Sequence, residues 1–214
     1  MSNKSRGESG RSRDKEGTKE KLLQAAIALL TEEGFDALGV NAVADRAGVS
    51  KVLLYRYFGS LEGLYEELGR RLDPASIGAM EALVEDRLSR GVALPVVLEE
   101  ALLDLQERLE TDQLTRRLLV WELSAENELT RSFARVREEA GRRLNRIIRR
   151  YLPEESGIDV EATIALLSAG VYYLSLRRRF VEDYNEVKID TKEGWERVAR
   201  AGAGMLGGAL ANSQ

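Results

Sequence analysis

Apolar residues recur at three- and four-residue steps along almost the whole chain, the spacing that lines one face of an α-helix. The first such run carries Leu23, Ala26, Ile27 and Leu30. Thr18 is a candidate cap at its start, and Gly34 stops it. A short second run holds Val40, Val43, Ala44 and Ala47 and breaks at Gly48. A third starts at Ser50, a cap residue, and reaches Phe58 before Gly59-Ser60. Longer amphipathic runs follow: Leu61 to Leu72, Ile77 to Leu88, Pro95 to about Leu109, and a segment capped by Thr111-Asp112 that carries Leu114, Leu118, Trp121 and Ala125. Next comes a long helix from Leu129 through Phe133, Val136, Ala140, Leu144 and Ile148 to Tyr151, closed by Pro153. Val160 to Phe180 is apolar over most of its circumference, which predicts burial on more than one side. A last helix spans about 191 to 210. No strand-like alternation of useful length and no internal repeat is present.

The pattern predicts an all-α protein: a three-helix N-terminal domain over 17–60 and a larger helical domain over 61–214. Residues 1–16 have no apolar residue after Met1 and are expected to be a disordered basic tail. Composition agrees. The leucines and alanines far outnumber the β-branched valines and isoleucines, which lose more side-chain freedom in a helix. Cysteine and histidine are both absent. Disulfides, zinc sites built on Cys or His, cysteine nucleophiles and imidazole catalysis are thereby excluded. No cofactor or metal is expected, and a reducing cytoplasm fits.

A formal charge of −4 argues against a nucleic-acid binder until its distribution is considered. Residues 1–21 hold seven Lys/Arg against four Asp/Glu, and the remainder is acidic. A polyanion is therefore expected at the N-terminal end. The most apolar run, Ile164 to Leu176, is interrupted by Ser168, Gly170 and Ser175 and is too short to cross a bilayer, so no membrane span is expected.

Residues 40–58 carry the chemistry. Two short helices meet at Gly48-Val49-Ser50, where Gly48 supplies the positive φ of a tight turn. Ala44 and Ala47 are small enough for close crossing, and Val43, Val49, Leu54 and Phe58 form a shared core. This is the construction of a helix-turn-helix. Val52 and Arg56 fall opposite Leu54 and Phe58. Arg56 is suited to a bidentate contact with guanine O6 and N7. Val52 and Leu53 have only apolar atoms to offer thymine methyls. Lys51, Tyr55 and Tyr57 flank them and suit phosphate oxygens, and Asn41 is placed for a phosphate or a base edge.

The segments Ala42-Val43-Ala44-Asp45-Arg46-Ala47-Gly48-Val49-Ser50-Lys51 and Leu54-Tyr55-Arg56-Tyr57-Phe58-Gly59-Ser60, preceded by Leu30-Thr31-Glu32-Glu33-Gly34-Phe35, resemble the TetR family of transcriptional regulators. The resemblance is strong over about 18–65 and architectural beyond. It implies a DNA-binding head, a helical ligand-binding and dimerisation body, and a homodimer on a palindromic double-stranded operator. Two phosphate anchors common in that family are missing, since Gly39-Val40 and Leu61 stand where Thr or Ser and Lys are usual. Leu53 replaces a small polar residue, which implies an unusual operator preference.

The resemblance further implies pairing through the last two helices, about 160–180 and 191–210, whose Gly and Ala content permits close approach. It also implies a small-molecule effector held between body helices, with Trp121, Glu122, Phe133, Tyr172 and Tyr173 as candidate lining. Glu122 reads as a contact to a cationic ligand, as the partner of an arginine, or simply as a residue on the exposed edge. Eight arginines between 131 and 150 read either as a second nucleic-acid surface or, more simply, as a solvated face bridged to acidic neighbours such as Glu99, Glu100, Asp104 and Glu107. The expected function is a ligand-responsive regulator, most simply a repressor and not an enzyme. Its rivals are a helical enzyme, for which no di-iron Glu-x-x-His motif or phosphate loop is found, and a helical protein-interaction module.

Overall fold

The computed structural model describes residues 5–72, 74–152 and 159–211, and side chains over 15–72, 78–152 and 159–208. Among the described residues are ten α-helices, a short 3-10 turn at Phe35–Ala37 and one two-stranded hairpin. The chain divides into two compact units. The head is Met1–Leu72 with Glu126–Val136, and the body is Asp73–Ala125 with Arg137–Gln214.

The head contains α1 (Ser5–Glu32), α2 (Val40–Ala47), α3 (Lys51–Phe58), α4 (Leu61–Leu72) and the beginning of α8 (Glu128–Arg149). Helix α1 begins at Ser5 instead of near Thr18, and residues 1–4 lie outside the described residues. The physical reason is cooperativity: once Leu22 to Leu30 nucleate the helix on the core, adding residues such as Lys, Arg and Glu at its end costs little. Leu22, Leu30, Val43, Leu54, Leu64 and Leu68 are fully buried and join α1, α2, α3 and α4 in one core.

The division between units falls at Leu72, not near residue 60, because α4 is part of the head. It buries Leu64, Tyr65 and Leu68, and the Tyr65 hydroxyl donates to the Leu38 carbonyl at 2.8 Å. Burial, reinforced by Glu128 and Glu62, pushes the Tyr65 phenol up to about 12. Phe133, on the opening turns of α8, is buried against α4. A Cβ added at Gly69 would stand 3.0 Å from its ring.

The body contains α5 (Pro74–Ser89), α6 (Leu94–Thr111), α7 (Gln113–Ser124), the rest of α8, α9 (Val160–Arg177), the hairpin Asp183–Tyr184 with Val187–Lys188, and α10 (Lys192–Ala211). The hairpin has no counterpart in the sequence pattern, since two residues per strand are too few to show alternation. Pro153 lies outside the described residues. Helix α6 is the centre. Pro95 sits in its first turn, and its buried Val97, Leu98, Ala101, Leu102 and Leu109 pack against α5, α9 and α10. Asp112 then caps α7, its carboxylate accepting from the Leu114 and Thr115 amides at 2.9 and 3.1 Å. Trp195 of α10 donates its indole N–H to the buried Ile189 carbonyl at 2.8 Å.

Helix α9 departs from the expectation of burial on several sides. Only Val160, Val171 and Ser175 are fully buried, and Ala162, Leu166, Ala169 and Tyr173 form an open stripe. Its apolar circumference therefore exceeds what α6 and its neighbours within this chain cover.

Candidate nucleic-acid interface and ligand cavity

The turn between α2 and α3 is built as its residues require. Gly48 takes φ 65° and ψ 34°, and the Val49 amide donates to the Ala44 carbonyl at 3.0 Å. Ser50 caps α3, its hydroxyl accepting from the Val52 amide at 3.3 Å. Helix α3 ends at Gly59, where φ is 76°. Ser60 begins α4 by accepting from the Gly63 amide at 3.2 Å. Gly63 is a requirement that the sequence pattern did not reveal. A Cβ there would lie 2.0 Å from the Phe58 carbonyl oxygen, so only glycine lets α4 leave α3 at this angle.

On α3, Leu54 is fully buried, while Lys51, Val52, Tyr55 and Arg56 stand open at the i, i+1, i+4, i+5 spacing of one face. Val52 is 66% exposed, a high value for an apolar side chain. Leu53, Tyr57 and Phe58 are half-buried at the flanks, and Asn41 is exposed on the first turn of α2. Lys19 of α1 holds its ammonium 5.8 Å from the Phe58 ring centroid. Neither Lys51 nor Arg56 has an ion-pair or hydrogen-bond partner among the described residues. The other cations nearby are engaged. Arg46 bridges Glu32 and Glu33 at the end of α1, and Lys19 meets Glu67 at 2.8 Å. The head therefore keeps its core inside and offers two uncommitted cations, a tyrosine and a valine on one convex strip.

The body encloses a cavity of about 430 Å³. Leu102, Leu105 and Leu109 of α6, Ala140 and Leu144 of α8 and Ile164 of α9 provide much of its apolar wall. Of the five sequence candidates, only Tyr172 lines it. Glu122 is tied to Arg137 at 2.6 Å, and the same guanidinium lies 5.8 Å from the Tyr172 ring centroid. Trp121 is half-buried on α7. Tyr173 belongs to the open stripe of α9, with its ring edge-on to Tyr184 at 5.6 Å. Phe133 belongs to the head core. The lining leucines carried no signal of their own, because periodicity is the same for a filled core and for the wall of a cavity.

The arginines of α8 do face acidic neighbours, but not those expected. Arg135 meets Glu66, Arg143 meets Glu81 and Glu139, Arg149 meets Glu161, and Arg150 meets Glu85. The Arg149 hydrogen bond holds the Glu161 carboxyl below its ordinary range. Glu100 pairs with Arg87, and Asp104 with Arg108 within α6. The reason is geometric: residue spacing does not reveal which helices lie side by side.

A helix that hides a leucine on one side and presents unpaired cations on the other, at a capped glycine turn, defines a helix-turn-helix DNA-binding protein. Comparison with known proteins agrees. Residues 22–68 match the family described as bacterial regulatory proteins, tetR family. The chain is 30% identical over 168 residues to the HTH-type transcriptional regulator YdeS of Bacillus subtilis (strain 168), a stretch covering 77% of this chain and 80% of that protein. It is 43% identical over 63 residues to the HTH-type transcriptional activator FasR of Mycolicibacterium smegmatis, 29% of each chain. In architecture it is similar to Thermus thermophilus FadR, a TetR-family repressor solved in complex with lauroyl-CoA, with a TM-score of 0.56 and 19% identity over 88% of this chain and 92% of that one. The protein belongs to the TetR family of DNA-binding transcriptional regulators and is not an enzyme. No helix among the described residues is long and apolar enough to cross a membrane.

Proposed function

We propose that this protein is a ligand-responsive repressor that binds a palindromic operator as a homodimer, with α3 in the major groove. The observation that carries the reading is the open strip of α3. Arg56 offers a guanidinium to base edges, Lys51 and Tyr55 reach phosphates, and Val52 packs against thymine methyls. Asn41, Leu53 and Tyr57 contribute at the margins, Leu53 and Tyr57 with the smaller part of their surface that stays open.

Two features support pairing through α9 and α10. The open stripe of α9 is apolar, and on α10 Met205 is 70% exposed and flanked by the exposed Ala201, Gly204 and Gly208. Apolar patches of this kind mark protein interfaces. The small residues of α10 divide by role. Gly202 is buried, and a Cβ there would meet Leu167 at 2.8 Å, so it serves packing within the chain. Gly204 and Gly208 have open space before them and suit a second copy. Two heads related by a two-fold axis would meet half-sites about 34 Å apart, or a multiple of that.

The body cavity supports effector control. Its volume falls in the range of about 300 to 1,000 Å³ typical of small-molecule sites. A ligand that binds one arrangement of the dimer better than another shifts the operator affinity by that difference. FadR, described as a repressor with lauroyl-CoA bound, and FasR, described as an activator, show that relatives carry both signs. Footprinting on DNA upstream of the protein's own reading frame, at several salt concentrations, tests the reading. Protection of a palindrome with salt-sensitive affinity is expected. Retention of all DNA equally, or of none at low salt, would reject it.

A further inference from the structure

The apolar cavity of the body opens onto a basic surface. The groove beside it is lined by Arg142, Arg143, Arg146, Arg149 and Arg150, with Glu81 and Glu161 as its acids. Arg142, Asn145, Glu81 and Glu161 line cavity and groove alike, so the two are continuous. The acids at this junction are occupied. Glu81 accepts from the Arg143 Nε at 2.9 Å, and Glu161 takes Arg149 at 2.6 and 3.1 Å. Arg150 is held by Glu85, whose carboxylate also accepts from the Tyr151 hydroxyl.

Arg142 and Arg146 remain. They lie four residues apart on one face of α8, exposed, with no hydrogen bond or ion pair among the described residues. Between them in sequence, the Asn145 Oδ1 is buried without a partner at the mouth of the cavity. A buried amide oxygen left unpaired is costly, and since it only accepts, the group that completes the mouth there brings an N–H or O–H donor, while anionic oxygens fall to Arg142 and Arg146. Away from the mouth the wall is mostly leucine, isoleucine and alanine, with Arg108, Asp112, Thr115 and Arg137 among its polar members.

From this junction we infer that the effector is an acyl-chain amphiphile, with its hydrocarbon in the cavity and an anionic headgroup held by Arg142 and Arg146. The assignment rests on the cavity being the effector site proposed above. Guanidinium groups suit either a carboxylate or a phosphate head, since both accept bidentate hydrogen bonds. The hydrophobic tail supplies affinity in proportion to the apolar area removed from water.

Calorimetric titration with lauroyl-CoA, laurate and free coenzyme A tests the inference, alongside operator retention with each. Binding of at least one of the two acyl probes, weakened at least about tenfold by the Arg142→Ala/Arg146→Ala double variant, is expected. Both positions are exposed, so that variant keeps its melting temperature. Laurate binding as tightly as lauroyl-CoA identifies a carboxylate head; a clear preference for lauroyl-CoA identifies a phosphorylated one. Gly141→Trp, at a cavity-lining position where an added Cβ meets nothing within 4 Å, is expected to block the acyl probes. Coenzyme A binding as well as lauroyl-CoA, or acyl binding indifferent to the double variant, overturns the inference. If neither acyl probe binds but another small molecule releases the operator, the inference fails while effector control stands. If an acyl probe binds as described yet leaves operator affinity unchanged, the ligand assignment stands and effector control fails.

Discussion

Helices α3 and α9 both expose large apolar side chains, Val52 at 66% and Leu166 at 76%, yet they invite different partners. The difference lies in their neighbours. Val52 sits between Lys51 and the Tyr55–Arg56 pair, so any surface that covers it must also accept two positive charges. Leu166 sits between Ala162 and Ala169, with Tyr173 beyond, so what covers it must be apolar and closely fitting. The first is the chemistry of a groove walled by phosphates, and the second is that of another protein surface. Exposure alone says that a face is unfinished, and the charges around it say what finishes it.

The sharpest way to break this comparison is to place a charge on the α9 stripe. Leu166→Arg with Tyr173→Glu is expected to give monomers in analytical ultracentrifugation and to reduce operator affinity more than about a hundredfold, since a single head loses half of its contacts. A dimer of unchanged stability would place the pairing surface elsewhere. Next in size is Arg56→Ala. It is expected to cost about 1–3 kcal/mol on the preferred operator and to relax preference at one base pair, read by binding-site selection. Lys51→Ala tests the same strip from its phosphate side. Affinity should fall to a similar degree on all sequences, and the slope of log affinity against log salt should decrease by about one.

The smallest expected effect concerns the head core instead of its surface. The Tyr65 phenol is held neutral up to about 12 in the folded state, against an ordinary 10.0. Its contribution to stability is therefore complete below pH 10 and is lost as pH rises from 10 towards 12, because only the unfolded chain gives up the proton in that window. Thermal melts of the protein and of Tyr65→Phe should show the loss above pH 10 to be smaller in the variant. Equal losses would mean that Tyr65 is solvated in the folded head.

The head was largely legible in the amino-acid order. Local rules act there over a few residues: a glycine for positive φ, a serine for a cap, small alanines at a crossing, leucine and phenylalanine four apart. Gly48, Ser50 and Leu54 stand as those rules require. What the rules could not show was the contact between Gly63 and the Phe58 carbonyl, which depends on the angle between two helices. The body was legible only as helices. Aromatic residues were poor guides to its cavity, for Phe133 fills the head core and Tyr173 lies in the open, while aliphatic side chains indistinguishable from core make the wall.

By itself, then, the order of residues determined the all-α class, the helix-turn-helix and the side of α3 that carries Arg56, because hydrophobic period, capping and turn chemistry are local. Only the tertiary structure decided which arginines of α8 are neutralised and which stay free, which glycines pack and which stay open, and where apolar side chains enclose space. Those outcomes depend on which helices lie side by side and at what distance, and that is settled by packing between residues far apart in the chain.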